Sequence, residues 1–217
     1  MIQAVILDLD GLMIYSEDVG LDAWQLTLAP YGKRMSEETY RSLIGTTQNA
    51  SIEHVITHMG VAASMEDLDR EYWAALEELV DRGIRPMPGV HEIIGNLRRR
   101  GLRLGVASNS VTPYVRKALT QIGVLDAFAC CVGVEQVMNG KPAPDLYLYA
   151  AQLLGCAPNT CLAVEDSPPG VQAAVDAGMR CALIPNPELS LADGHGAHFV
   201  FPSLVELDKN LEAVLST

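Results

Sequence analysis

The stretch VILDLDGLMIYSED, residues 5–18, places two aspartates two positions apart at the end of an apolar run. The apolar residues before Asp8 predict a buried β-strand, so that Asp8 and Asp10 stand at its carboxyl end. A charged group at the end of a buried element is costly unless something pairs it. The stretch therefore predicts a partner that neutralises these two carboxylates.

The rest of the chain places this strand in a parallel sheet, because strand-like and helix-like segments alternate from residue 89 onward. Alternation of this kind is typical of βαβ units, so the predicted fold class is α/β with a Rossmann-like parallel sheet. The predicted strands are 4–9, 102–108, 128–134, 161–166, 180–185 and 198–201. The predicted helices are 89–100, 112–123, 144–155, 168–178 and 203–215.

Residues 16 to 85 differ, because they contain helix-like patterns with no strand signal between them. We interpret this segment as a small helical cap domain inserted after the first strand, with a proline-stiffened return. The predicted domains are a Rossmann-like core formed by 1–14 and 87–217, and a helical cap at 15–86.

Polar side chains follow several of the predicted strands. Ligands of parallel α/β sheets bind at the carboxyl ends of the strands, so we expect these side chains to meet. Four carboxylates at one sheet edge need a cation or shared protons, and Mg²⁺ with oxygen ligands is the simpler solution. A metal, an ammonium and hydroxyl donors together form a site for a phosphoryl group. The residues are Asp8, Asp10, Ser108, Asn109, Lys141, Glu165 and Asp166.

Four motifs, each after its own predicted strand, carry a family resemblance. They are DLDG (8–11), ASNS (107–110), GKPAPD (140–145) and VEDSPPG (164–170). With them the sequence resembles the haloacid dehalogenase superfamily, in the subgroup with a small helical cap that includes β-phosphoglucomutase. The likeness covers essentially the whole chain, including the position of the cap.

The resemblance implies a catalytic role for several of these residues. Asp8 is the implied nucleophile, which forms an aspartyl-phosphate, and Asp10 is the implied general acid and then general base. Ser108 is implied to bind a phosphate oxygen with help from the backbone of Asn109. Lys141 is implied to neutralise the phosphoryl group during transfer.

The resemblance also implies a magnesium site and a close backbone approach. Mg²⁺ is expected to be held by Asp8, the main-chain carbonyl of Asp10, Glu165 and Asp166. Gly11 is expected to keep the loop open so that the backbone can come close to the substrate.

The cap bears on the choice between a phosphatase and a mutase. Gly20 falls where β-phosphoglucomutases carry a histidine, and Gln48 falls where they place an arginine that binds the distal phosphate. A sugar bisphosphate needs a cationic group at each end, and neutral Gln48 does not supply one. The polar, uncharged segment predicted to line the substrate side of the cap is Gly45, Thr46, Thr47, Gln48 and Asn49.

The sequence therefore predicts a Mg²⁺-dependent phosphatase that acts on a small phosphorylated metabolite, such as a sugar phosphate. A β-phosphoglucomutase-type mutase is the alternative. A dehalogenase is disfavoured because its reaction needs neither Asp10 nor a metal. A catalytically silent binding module is disfavoured because the motif residues are intact.

Composition excludes several partners. A net charge of −12 disfavours binding to nucleic acid or to an anionic membrane, and no apolar stretch is long enough for a membrane helix. The N-terminal sequence has no signal-peptide pattern, so we expect a cytoplasmic protein.

The five cysteines (130, 131, 156, 161 and 181) lack zinc-type spacing and are predicted to be reduced, buried thiols. The sequence leaves the oligomeric state open.

Several other residues have two interpretations. Tyr15 stands where many relatives have an aspartate, and it either packs at a hinge or contacts the substrate. His54 and His58, four apart, are predicted to lie on a helix surface rather than to bind a metal. Trp24 and Trp73 either form the core of the cap or line its substrate side.

Overall fold

A computed structural model of the protein describes residues 1–44, 46–186 and 195–216. It contains the predicted parallel sheet, with six strands in the order β3-β2-β1-β4-β5-β6. Each strand falls within its predicted segment and is shorter than predicted. The strands are β1 (Ala4–Leu7), β2 (Arg103–Ala107), β3 (Cys130–Val132), β4 (Cys161–Glu165), β5 (Arg180–Leu183) and β6 (Phe199–Val200).

The register of the sheet determines which side chains meet at its carboxyl edge. Leu7 at the end of β1 pairs with Val106 on β2 and with Val164 on β4. The residue after Leu7, Asp8, is therefore level with the ends of both neighbouring strands. The central position of β1 brings polar residues from three strands to one point.

Helices cover both faces of the sheet, as expected for parallel strands. Side chains alternate along β1: Val5 and Leu7 join one apolar cluster, while Ala4 and Ile6 join a second cluster on the opposite face. The core helices are α5 (Val90–Arg99), α6 (Thr112–Gln121), α7 (Asp145–Leu154), α8 (Pro168–Asp176), α9 (Leu204–Lys209) and α10 (Leu211–Ser216).

The last predicted helix, 203–215, is two helices rather than one. The chain leaves helical geometry at Asn210, which has φ −106° and ψ 7° and separates α9 from α10. None of the helices in the described part of the chain is long and apolar enough to cross a membrane.

In the described part of the segment between β1 and α5, where the sequence predicts a cap, there are four α-helices and one short 3-10 helix at Ala29–Tyr31. The α-helices are α1 (Glu17–Leu28), α2 (Glu37–Leu43), α3 (Gln48–Met59) and α4 (Met65–Asp81). Ser36, Thr47 and Ser64 cap α2, α3 and α4, each accepting a backbone N–H bond through its hydroxyl. We call α1–α4 the lid helices. The division of the chain into a core domain and a cap domain stays a prediction.

The two connections between the sheet and the lid helices run side by side. Tyr15 N donates to Arg85 O at 3.1 Å, and Met87 N donates to Met13 O at 2.8 Å. The guanidinium of Arg85 lies over the ring of Tyr15, 4.7 Å from its centroid. Tyr15 therefore packs against the returning chain, in agreement with its interpretation as a hinge residue.

The cysteines agree only in part with the prediction. All five are free thiols, and Cys131, Cys161 and Cys181 are buried. The prediction of burial is wrong for Cys130 and Cys156, which are half-buried. Cys130 begins the edge strand β3, and Cys156 lies in the loop after α7, so both positions are less covered than the centre of the sheet.

Candidate active site

One cavity of about 220 Å³ lies between the carboxyl edge of the sheet and the lid helices. Side chains from the ends of β1, β2 and β4 and from the loop after β3 meet there. Glu165 is fully buried beside them. The predicted site residues that line the cavity are Asp8, Asp10, Ser108, Asn109, Lys141 and Asp166 from the core, Gln48 from α3 and Thr46 from the connection between α2 and α3.

The ammonium group of Lys141 lies between two carboxylates. Lys141 Nζ donates to Asp8 Oδ1 and to Glu165 Oε1, and all three side chains are buried. Burial lowers the pKa of Lys141, but the charges of Asp8 and Glu165 outweigh it and raise the pKa above its usual value. Lys141 is therefore held as a cation inside the protein.

One lysine does not neutralise the whole cluster. Burial raises the pKa of Asp8, and the charges of Glu165 and Asp10 raise it further against the opposing effect of Lys141. Burial also raises the pKa of Asp166, as do the charges of Asp8 and Glu165. Asp8, Glu165 and Asp166 thus form an acidic cluster that favours either bound protons or a second cation.

The acidic cluster fits a metal ion. Asp8, Glu165 and Asp166 can each present one carboxylate oxygen, and these oxygens lie within 4.8 Å of one another. Three buried carboxylate oxygens suit a hard divalent cation. No other group of this kind occurs among the residues that the structure describes.

His54 and His58 stack on each other along α3, with ring centroids 4.5 Å apart.

Glu165 is held in place by neighbours on both of its oxygens. Tyr147 donates to Oε1 at 2.7 Å, while Ser167 Oγ and the backbone N–H of Asp166 donate to Oε2 at 3.2 and 3.1 Å. Gly170 on α8 leaves room for this carboxylate, because a Cβ there would lie 2.0 Å from its carbon. Sequence reasoning missed Tyr147, which helical periodicity marks only as a buried residue of α7.

Gly11 and Asn186 pack against Asp166 in a similar way. Gly11 has a positive φ of 75°, and a Cβ there would lie 2.1 Å from Asp166 Oδ2. Asn186 Nδ2 donates to the same oxygen at 2.9 Å. Sequence reasoning missed Asn186, although this residue follows the apolar run of the fifth strand. Ligands of parallel sheets bind at the carboxyl ends of the strands, so a polar residue at this position was a candidate for the site.

The side chain of Asn109 positions the loop that carries Lys141. Asn109 Oδ1 accepts from Lys141 N at 2.8 Å, and Asn109 Nδ2 donates to Lys141 O at 3.3 Å. A Cβ at Gly140 would lie 2.6 Å from Asn109 Oδ1, so the glycine permits this approach. The predicted role of the Asn109 backbone toward phosphate stays a prediction.

Three hydroxyl groups hold the carboxylate of Asp10. Ser110 and Ser108 donate to Oδ2 at 2.7 and 3.2 Å, and Tyr114 donates to Oδ1 at 3.1 Å. Burial raises the pKa of Asp10, although the bonds from Ser110, Tyr114 and Ser108 lower it in part. The sequence analysis assigned no role to Ser110 or Tyr114, although Ser110 is the last residue of the ASNS motif.

The polar part of the lid differs in detail from the prediction. Thr46 and Gln48 line the cavity, whereas Gly45 lies outside the described residues. Two side chains predicted to line the cavity do not: Thr47 caps α3 through its hydroxyl, and Asn49 is exposed. Gln48 Nε2 is buried, and a hydrogen bond from the Gln48 side chain opposes the rise in the pKa of Asp69 that burial causes.

Aromatic side chains form much of the remaining wall. Trp24 and Tyr72 lie 4.7 Å apart between ring centroids, Tyr72 and Trp73 lie 5.7 Å apart, and Trp73 and Tyr114 lie 5.8 Å apart. All four line the cavity, and we call them the aromatic wall. Trp24 and Trp73 thus face the cavity, and Trp24 is also part of the buried core.

Position 20 is filled from a neighbouring helix. A Cβ at Gly20 on α1 would lie 2.1 Å from the hydroxyl oxygen of Tyr40 on α2, and both residues line the cavity. Tyr40 therefore occupies the space into which a side chain at position 20 would extend.

Comparison with known proteins shows the family to which the chain belongs. Residues 5–184 match the model of the haloacid dehalogenase-like hydrolase family. Hexitol phosphatase B of Escherichia coli (strain K12) is 32% identical over 194 residues, which are 86% of this chain and 85% of the relative. The chain spans only 48% of the bifunctional riboflavin kinase/FMN phosphatase of Arabidopsis thaliana, with 29% identity over 183 residues and 84% of this chain.

The fold is also that of a solved structure. The crystal structure of CbbY from Rhodobacter sphaeroides in complex with phosphate has a TM-score of 0.88 and 29% identity, and covers 95% of this chain and 96% of the other. A mutant of CbbY from the same organism is in complex with xylulose-(1,5)bisphosphate. The curated relatives named as phosphatases support a phosphoric monoester hydrolase. The chain belongs to the haloacid dehalogenase-like hydrolase family.

Proposed function

We propose that this protein is a Mg²⁺-dependent phosphatase that hydrolyses a sugar monophosphate through an aspartyl-phosphate formed on Asp8. The observation that carries the proposal is the shared cavity, in which Asp8 contacts the ammonium of Lys141 while three hydroxyl groups donate to Asp10. This arrangement offers a nucleophile with a cation beside it and a separate group for proton transfer. The names of the relatives, among them a hexitol phosphatase, support a phosphorylated polyol or sugar as substrate.

In the first step an oxygen of Asp8 attacks phosphorus, and the bond from phosphorus to the leaving oxygen breaks. Asp10 donates its proton to the leaving oxygen, so the dephosphorylated leaving group departs as a neutral alcohol while the phosphoryl group stays on Asp8. Burial raises the pKa of Asp10, which favours the protonated form that this step requires. Lys141 balances negative charge on the phosphoryl group.

In the second step a water molecule attacks the phosphorus of the aspartyl-phosphate. Asp10, now a carboxylate, accepts a proton from that water, and the bond from phosphorus to Asp8 breaks. Inorganic phosphate leaves, Asp8 regains its carboxylate, and Asp10 is again protonated. The net reaction consumes one water for each phosphate released.

The acidic cluster is the proposed magnesium site, with Asp8, Glu165 and Asp166 as the side chains that would hold the ion. When bound, Mg²⁺ supplies positive charge to the phosphoryl oxygens. The main-chain carbonyl of Asp10 is proposed as a further ligand.

The cavity wall favours a monophosphate over a bisphosphate. Among the described residues that line the cavity, Lys141 alone carries a positive charge, and it is committed to Asp8 and Glu165. A second phosphate would therefore meet the neutral amide of Gln48 and the aromatic wall. The same wall disfavours the mutase alternative, which needs a bisphosphate.

The nucleophile is tested by Asp8→Asn. Because the amide cannot form the covalent intermediate, we expect hydrolysis of p-nitrophenyl phosphate to fall by about 10⁴-fold or more. Asp176→Asn, the same change at an exposed position on α8, serves as the matched control and should keep wild-type activity. A folded Asp8→Asn protein with more than a tenth of the wild-type rate would refute the assignment.

The magnesium site is tested by thermal unfolding without substrate. Mg²⁺ at 100 times its dissociation constant should raise the melting temperature of the wild-type protein by about 5–10 °C relative to EDTA. Asp166→Asn removes one buried charge, so in EDTA it should melt at or above the wild-type temperature, and Mg²⁺ should no longer stabilise it. An equal magnesium response in both proteins would contradict the site.

The approach of Gly170 to Glu165 gives a second test of the metal site. Gly170→Ala should displace the Glu165 carboxylate and weaken magnesium binding by about 10–100-fold, measured by direct titration. Gly95→Ala is the matched control, because Gly95 also lies inside a helix and a Cβ there would meet only Arg99 Nη1 at 3.4 Å. The control should bind magnesium normally, and equal affinities in the two variants would show that Gly170 has no such role.

The preference for a monophosphate is tested by phosphate release from sugar and polyol monophosphates and their bisphosphates. We expect the wild-type protein to have the higher kcat/KM for the monophosphates, and Gln48→Arg to raise kcat/KM for the bisphosphates by about tenfold through a new charged contact. Gln152→Arg, exposed on α7, controls for added charge. Isomerised product without free phosphate, from β-glucose-1-phosphate with a bisphosphate cosubstrate, would instead support the mutase.

A further inference from the structure

Tyr114 connects two parts of the molecule that the proposed reaction needs together. It lies on α6 with only 1% of its surface exposed, and its hydroxyl donates to Asp10 Oδ1 at 3.1 Å. The other oxygen of Asp10 accepts from Ser110 and Ser108. Because both carboxylate oxygens are bound, the plane of the Asp10 carboxyl group is fixed, and Tyr114 is the donor on one side of it.

The ring of Tyr114 also contacts the lid helices. It lies 5.8 Å from the ring of Trp73 on α4, at an interplanar angle of 56°. Trp73 is itself fixed, because its Nε1 donates to Asp69 at 3.0 Å and its ring packs edge-on against Tyr72 at 5.7 Å. The position of the Tyr114 hydroxyl therefore depends on the packing of α4 as well as on α6.

We propose that Tyr114 is a positioning residue that orients the carboxyl group of Asp10 for proton transfer to a leaving group lying against the aromatic wall. The proposal rests on the proposed function, since it requires Asp10 to protonate the leaving oxygen. Tyr114 and Trp73 line the same cavity as Asp10, so a leaving group bound against the aromatic wall would lie in the cavity that contains the proton donor. Tyr114 thereby links the packing of the lid to the orientation of the acid.

The hydroxyl and the ring of Tyr114 have separable roles. Tyr114→Phe removes the bond to Asp10 and keeps the ring, so the contact with Trp73 and the shape of the wall should be preserved. Substrate binding should then change little, whereas proton delivery should suffer. A hydrogen bond to a charged group contributes about 1.5–3 kcal/mol, which corresponds to a rate loss of about 10–100-fold.

The test compares two leaving groups in Tyr114→Phe. With an alkyl phosphate, whose leaving oxygen needs a proton, we expect kcat to fall by about 10–100-fold and KM to stay within about twofold. With p-nitrophenyl phosphate, the burst of nitrophenolate should stay within about twofold of wild type, since this leaving group departs without a proton. Tyr149→Phe, the same change on α7 at a ring packed in the second apolar cluster, is the matched control and should match wild type in both assays.

Each result either supports or overturns the proposal. An unchanged kcat for the alkyl phosphate overturns it, and so does an equal loss in the nitrophenolate burst, which would indicate damage to the attack by Asp8. A rise in KM alone would make Tyr114 a substrate contact and also overturns it. Melting temperatures confirm that the variants are folded. Inactive Asp8→Asn beside a wild-type-like Tyr114→Phe would leave the phosphatase proposal standing and refute only the role of Tyr114.

Discussion

The structure depends on an excess of buried negative charge at the end of its central strand. Asp8, Glu165 and Asp166 meet where parallel strands end, and Lys141 is the cation that contacts two of them. Removing carboxylates from water costs several kcal/mol or more for each ion unless partners replace the lost hydration. The surroundings of these groups are therefore determined by the need to stabilise charge rather than by apolar packing.

Two kinds of neighbour meet this need. Hydrogen-bond donors such as Tyr147 and Asn186 reach the carboxylates directly. Glycines at positions 11 and 170 leave the space in which those carboxylates lie, with a Cβ-to-carboxylate distance near 2 Å in each case. A carboxylate surrounded in this way keeps one position, which is what a nucleophile or a metal ligand requires.

The sequence predicts the core better than the lid, for physical reasons. Strand ends in a parallel sheet converge, so a linear pattern is enough to bring Asp8, Ser108 and Glu165 together. The same rule applies to Asn186, which follows the fifth strand. Tyr114 and its hydrogen bond to Asp10 are not predictable in this way, because an aromatic residue at a buried helical position has the pattern of ordinary core. Thr47 and Asn210 differ from expectation because caps and breaks depend on local backbone geometry, which hydrophobic periodicity does not encode.

Positions in the lid cannot be interpreted one at a time. Gly20 alone suggests open space where mutases carry a histidine, yet the hydroxyl of Tyr40 on a neighbouring helix fills that space. The volume and polarity of the cavity wall thus depend on pairs of residues from different helices. A substitution at either residue of a pair changes the volume and the polarity together. The core presents the same charges to any phosphoryl group, whereas the shape that the leaving group meets is set by such pairs. We therefore expect substrate choice to depend on the packing of the lid helices against one another and, through the contact of Trp73 with Tyr114, on their packing against the core.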